Sequence, residues 1–228
     1  KPGSNSLRCR VALVLALVGL LGLLRLLALV GTSGGASAIR VRSSRPNLLF
    51  LISDDLNMFL GCYGDPRAKT PNLDRLASRG VRFDRAYCTY PLCGPSRNAL
   101  LTGLYPNSNG VLTNGQSSRQ TIPGHRTLSQ SFRLAGYFAT RIGKLEHYDV
   151  PKGIGTYGHG DPASWEMVIT PAGVDRLVEE PHMTSLIPGR LGDTLSWHAS
   201  LHAEPLHTDA IIAENAGWVL ERCAQRKD

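Results

Sequence analysis

An apolar run, Asn47-Leu48-Leu49-Phe50-Leu51-Ile52, passes directly into Ser53-Asp54-Asp55 and limits this chain more than any other feature. Residues so uniformly apolar have no outward polar face, so they predict a strand covered on both sides. Strands of that kind belong to mostly parallel sheets with helices packed above and below. The segments that follow agree. Thr70-Pro71 caps and begins a helix running to about Ser78, with Gly80 as its stop. Val81 to Ala86 alternates and predicts a second strand. Pro95 opens a further helix ending near Gly103, and Thr127 to Ala135 has helical spacing closed by Gly136. Tyr137 to Ile142 returns as a strand that ends at Gly143-Lys144. This alternation predicts an α/β fold with a mostly parallel central sheet flanked by helices.

From Asp149 to His207 regular periodicity is lost, in a stretch rich in Gly, Pro and His. Long loops of this kind inside a domain are functional or disordered, and Trp165 and Trp197 argue for packing. Thr208 to Arg226 then predicts an amphipathic helix with Ile211, Ile212, Ala216, Val219 and Leu220 on one side.

Residues 1–38 stand apart. Lys1, Arg8 and Arg10 precede an unbroken apolar run from Val11 to Leu24, and Ala36-Ser37-Ala38 fits a small-residue cleavage site. That predicts a signal peptide and an exported protein: periplasmic, secreted or lysosomal in type. The apolar run resumes from Leu26 to Val30, so an uncleaved membrane anchor is the alternative. Residues 39–46 form a linker and 47–228 the folded unit. Four of the 25 basic residues and none of the 18 acidic ones lie in the leader, leaving 21 basic against 18 acidic, net +3. No basic run of nucleic-acid type exists beyond the leader, which excludes nucleic acid as a partner class and confines membrane contact to the leader. Five cysteines without regular spacing do not form a disulfide framework. A Cys88–Cys93 bridge, with Pro91 favouring a turn between them, is a local alternative that would occupy Cys93.

Three constellations carry chemistry. Asp54 and Asp55 sit where ligands gather in open α/β sheets, beyond the carboxyl end of a strand, and paired carboxylates suit a hard divalent cation. By themselves they read as a turn or helix cap. In Cys93-Gly94-Pro95-Ser96-Arg97, Cys and Arg four positions apart share one face of any helix starting there, and a helix's first turn favours developing negative charge. That makes Cys93 a reactive cysteine. Gly143-Lys144-Leu145-Glu146-His147 follows a predicted strand; taken alone it is a solvated loop. The remaining histidines, His125, His159, His182, His198, His202 and His207, have no metal-site spacing and stand as loop or rim residues.

The ordered series of apolar strand, Asp54-Asp55, Gly61-Cys62-Tyr63-Gly64-Asp65, Thr70 to Ala77, C-G-P-S-R with Leu101-Thr102-Gly103, and G-K-x-x-H resembles the N-terminal blocks of type I sulfatases. With the loop Asp161-Pro162-Ala163-Ser164-Trp165 it looks most like the iduronate-2-sulfatase branch. The resemblance implies an alkaline-phosphatase-like sandwich and a sulfuric ester hydrolase acting on a sulfated polysaccharide or glycosaminoglycan. It implies that Cys93 is converted to formylglycine by the formylglycine-generating enzyme, which reads C-x-P-x-R. The hydrated aldehyde is then the nucleophile, and its second hydroxyl lets sulfate be expelled. Asp54, Asp55 and an oxygen of residue 93 would hold one Ca²⁺; Arg97 would hold the diol, Lys144 a sulfate oxygen, and His147 would orient or deprotonate a diol hydroxyl.

The chain departs from that pattern in two places. Glu146 stands where close relatives often carry an aromatic residue. After Lys144 there is no counterpart of the second catalytic His, the Asp-His or Asp-Asn pair completing the metal site, the further Lys or the smaller C-terminal domain that the family implies. The expectation is a catalytic domain incomplete at its C-terminus, holding the nucleophile and half the cation ligands, and nearly inactive by itself. The alternatives are a phosphatase or phosphodiesterase of the same superfamily, against which Cys93 argues, and a non-catalytic remnant.

Overall fold

The computed structural model describes residues 46–192 and 196–225. The predicted leader therefore lies outside the described residues, as do residues 39–45 of the linker. Among the described residues no helix is long and apolar enough to cross a membrane.

The helices with strong local punctuation form where expected. α1 spans Pro71–Arg79 with Pro at its start, the position where a missing N–H costs nothing. α2 spans Cys93–Thr102 and stops at Gly103, whose left-handed φ of 69° lets its N–H close on the Ala99 carbonyl. Pro95 is thus the third residue of this helix rather than its opener. Two single-turn helices follow, α3 (Pro106–Asn109) and α4 (Ser118–Thr121). α5 spans Leu128–Leu134 and is capped by the Thr127 hydroxyl, which accepts from the Gln130 amide. Phe132 on α5 meets Tyr137 edge to face, ring centroids 5.1 Å apart.

β1 (Thr140–Ile142) pairs in parallel with β2 (Met167–Ile169), Arg141 opposite Val168. The Glu166 amide on the Ala139 carbonyl and the Gly143 amide on the Ile169 carbonyl extend the ladder at both ends. A single helical turn, α6 (Val174–Leu177), and a two-residue antiparallel pair, β3 (Thr184–Ser185) with β4 (Ser196–Trp197), lead to the long α7 (Thr208–Gln225). α7 packs on β1, with Val219 buried. Its Ile212 lies against Gly143, where a Cβ would come within 2.6 Å of the Ile212 Cδ1. Gly143 also has φ +72°, so glycine is favoured at this junction.

Two predicted strands are absent. Along Asn47–Ile52 only Leu48 makes a bridge, and Leu51 remains 69% exposed. A run apolar on both faces needs strands on each side and layers above and below. The parallel sheet among the described residues has two strands, and neither pairs along this segment. Instead, Leu49 to Ile52 line an apolar groove of about 210 Å³ with α5, β1 and α7. Val81–Ala86 is irregular, held by Tyr63 Oη donating to the Phe83 carbonyl and by Arg82 on Asp84. Conversely β2 and α6 emerge from the stretch without periodicity, each too short to leave a repeat in the sequence.

Candidate active site

Cys93 is the first residue of α2, and Leu92 before it is extended, so the chain turns into the helix at the cysteine. The amide of Gly94 donates to the Asn114 side chain at 2.8 Å, and a Cβ there would meet Asn114 and the Thr113 carbonyl at 3.0 Å. The backbone following Cys93 is therefore seated directly on a neighbouring loop, an approach that favours glycine. Cys93 faces a cleft of about 890 Å³ shared with Ser53, Asp54, Asp55, Ser96 and Arg97. Neither Cys88 nor Cys93 is in a disulfide, so the Cys88–Cys93 bridge is not formed.

Asp54 is the hub. Its Oδ1 pairs with Arg97 Nη2, one turn into α2, and its Oδ2 accepts from Lys144 Nζ at 2.8 Å. The other arm of Arg97 donates from Nη1 to the Leu145 carbonyl at 2.9 Å. Partial burial alone would raise the Asp54 pKa. The hydrogen bond from Lys144 and the charges of Arg97 and Lys144 outweigh it, and the carboxyl is held below its usual range. The Lys144 ammonium also lies 5.2 Å above the Tyr148 ring. Asp55, next in the chain, takes a left-handed φ of 51°, which an aspartate tolerates better than most residues.

His147 is buried, 6% exposed, and neither ring nitrogen has a hydrogen-bond partner among the described residues. Asp149 Oδ1 lies 3.4 Å from Nε2, too distant to hold it firmly. Burial first, then the charge of Lys144, lower the His147 pKa against the pull of Asp149. The ring is thus biased toward its neutral form. It does not line the Cys93 cleft, and its ring centroid lies 6.4 Å from that of His159.

The structure thus brings Cys93, Asp54, Asp55 and Arg97 to one cleft, joins Lys144 to them through Asp54, and leaves His147 outside the cleft lining. Among the described residues no three His, Cys, Asp or Glu side chains are arranged to hold a metal ion. Asp54 and Asp55 offer oxygen donors of the type a hard cation takes, but both Asp54 oxygens already carry a cationic side chain. The described residues do not complete a cation shell.

Two groupings lie beyond the predicted set. Glu146 is buried between Arg141 of β1 and the indole of Trp165. A charged residue at the centre of an apolar strand is the one sequence signal for that pairing. Glu179 is also buried, and the scattered histidines gather on it. His202 Nδ1 lies 2.7 Å away, His198 and His207 approach to 3.7 and 3.8 Å, and the Ser200 hydroxyl donates to the same carboxylate. No local spacing announces it, because the partners are about twenty residues or more from Glu179. His125 is structural, its Nε2 lying 2.9 Å from the Thr102 carbonyl.

The sequence profile of the Sulfatase family matches residues 46–165, the span that carries every one of the cleft residues. A sulfatase of Formosa agariphila is 34% identical over 187 residues, covering 78% of this chain and 36% of that protein. An N-acetylgalactosamine-6-O-sulfatase of Bacteroides thetaiotaomicron is 37% identical over 160 residues, 64% of this chain and 31% of that protein. The iduronate 2-sulfatase of mouse is 36% identical over 121 residues, 52% and 21% respectively. The chain spans about a third or less of the length of these relatives. Relatives named for different sugars match at similar identity, so identity alone does not separate their specificities. With more than half of its residues under the profile, the chain belongs to the sulfatase family.

Proposed function

We propose that the protein containing this chain hydrolyses sulfate esters of a sulfated carbohydrate, through Cys93 matured to formylglycine by the formylglycine-generating enzyme. The observation that carries the reading is the convergence of Arg97 and Lys144 on Asp54 beside the first turn of α2, where Cys93 lies. Sulfatases generally depend on formylglycine and a metal ion. Once hydrated, formylglycine would supply a hydroxyl nucleophile and a second hydroxyl for sulfate release. Asp54 and Asp55 would lend carboxylate oxygens to a calcium ion, together with an oxygen of residue 93, the remaining ligands lying beyond the described residues.

The chain's own residues do the rest. Lys144 and Arg97 place two positive charges at the mouth of α2, whose N-terminal amides add partial positive charge of their own. Both cations are bound to Asp54, which sets their positions relative to the start of α2. Lys144 offers further N–H donors to a sulfate oxygen, and Arg97 holds residue 93 from one turn away. His147, whose pKa is lowered by burial, is assigned to orient or deprotonate the group at residue 93, a role that requires its ring to come forward from its place outside the cleft lining. Export, from the Val11–Leu24 run and Ala36-Ser37-Ala38, provides the compartment in which sulfated polysaccharides occur.

Maturation is the decisive test. Trypsin releases Ala86–Arg97 as one peptide containing both Cys88 and Cys93. Fragment-ion mass spectrometry of protein made with the generating enzyme should show a loss of about 18 Da, the change from CH₂SH to CHO, at residue 93 and not at residue 88. An intact thiol at 93 after such co-expression sinks the proposal.

A further inference from the structure

Two contacts of the site come from one short segment. Lys144 reaches Asp54, and the Leu145 carbonyl receives Arg97. Both depend on the position of Gly143–His147, a turn without regular hydrogen bonding of its own. The residue that fixes it is the one lying between Leu145 and His147. Glu146 points inward, away from the cleft, and each carboxylate oxygen is taken by a different element: Oε2 by Arg141 Nη1 from the centre of β1, and Oε1 by Trp165 Nε1 at 3.1 Å.

Both donors are themselves held. The Arg141 side chain is 1% exposed, its guanidinium lies 4.9 Å over the Tyr157 ring, and Nη2 donates to the Tyr157 carbonyl at 3.3 Å. Trp165 follows the turn Pro162–Ser164, which Asp161 caps. Asp161 in turn receives Nε and Nη2 of Arg119, at 3.1 and 2.6 Å, and the Ser164 hydroxyl at 2.6 Å. The carboxylate of Glu146 is therefore fixed in position and in plane by a strand on one side and a clamped turn on the other.

A buried ion pair is a poor way to gain stability, because apolar residues of similar volume do as well or better. Two donors on one carboxylate do give what apolar packing cannot, a directional hold. We propose that Glu146 is a positioning residue that sets Lys144 and the Arg97-binding carbonyl of Leu145 for sulfate-ester cleavage. This rests on the sulfatase reading. Glu146 touches no substrate; it acts through the segment it anchors.

The test uses the full-length matured protein with Glu146→Gln, Glu146→Asp and Trp165→Phe. The last keeps the aromatic packing, removes one donor, and carries the decision if Glu146→Gln fails to fold. Hydrolysis of 4-methylumbelliferyl sulfate should lose about 10- to 100-fold in kcat for Glu146→Gln, with KM within about threefold. Trp165→Phe should lose about three- to tenfold, and Glu146→Asp should recover part of the Gln loss. Hydrogen exchange should rise in the peptide covering residues 143–148 and stay unchanged in α2 and α7. A folded Glu146→Gln or Trp165→Phe protein with wild-type kcat overturns the inference, as does exchange that rises evenly through the molecule. A wild-type protein that cleaves no sulfate ester removes the sulfatase reading and this inference together, whereas an active wild type with an equally active variant removes this inference alone.

Discussion

Arg97 donates with both arms of its fork, to the Leu145 carbonyl and to Asp54, and a lysine has no such fork. Arg97→Lys keeps the charge and loses one of the two bonds, each charge-assisted and worth about 1.5–3 kcal/mol. We expect kcat/KM on an aryl sulfate to fall about 10- to 100-fold and the thermal midpoint to fall by several degrees, measured by steady-state kinetics beside calorimetry. A wild-type rate would mean that the second arm has no role. His147 sets the pH dependence. Its pKa lies below the ordinary histidine value because burial and Lys144 disfavour the imidazolium. The neutral, proton-accepting form therefore persists to lower pH than in a free histidine. The acid limb of the kcat/KM profile should fall below about pH 6.5, the ordinary imidazole pKa, and disappear in His147→Gln together with most of the rate. A limb at or above that value contradicts the assignment.

At the scale of elements, the junctions carry the strain and the polar burial. Gly143→Ala must place a Cβ against Ile212 at φ +72°, which should destabilise the fold by about 1–3 kcal/mol. Adding Ile212→Ala removes the steric part and leaves the backbone part. The double variant should therefore lose less stability in chemical denaturation than the two single losses summed. The Glu179 cluster binds the turn after α6 to the loop before α7. Hydrogen bonding from Ser200, ahead of the opposing effect of burial and the added hold of His202 and His198, depresses the Glu179 pKa. A depressed carboxyl pKa contributes stability that is present above the unfolded value and lost as pH falls through the folded one. The thermal midpoints of wild type and Glu179→Gln should thus differ most near neutrality and converge below about pH 4, past the unfolded Glu value. Midpoints that run parallel across that range would show that the carboxylate charge is not what holds the loop.

Across the whole molecule, what the sequence discloses is what is local. α1, α2, α5 and α7 each carry their own start, stop or apolar face within a few residues, and Gly80, Gly103 and Gly136 punctuate them correctly. Cys93 and Arg97 are one helical turn apart, so their pairing on a face is read directly. Asn47–Ile52 shows the limit: apolar composition states a demand for partners, and a strand forms only where partners meet it. Arg141–Glu146–Trp165 and the histidines on Glu179 are out of the sequence's reach because their contacts depend on how loops fold back. Metal binding is likewise bounded by what distant segments supply. Two adjacent carboxylates, one of them already holding Arg97 and Lys144, are too few donors for a cation that takes six to eight oxygens. Ligand binding stabilises only as far as the concentration exceeds the dissociation constant. About 1 mM calcium should therefore move the thermal midpoint of the isolated 228-residue chain by less than about 2 °C. In a longer protein that supplies the remaining ligands, chelation should lower both midpoint and sulfatase activity. A large calcium shift in the isolated chain, abolished by Asp54→Asn, would show that residues 1–228 complete the site alone and that Asp54 and Asp55 are joined there by further donors.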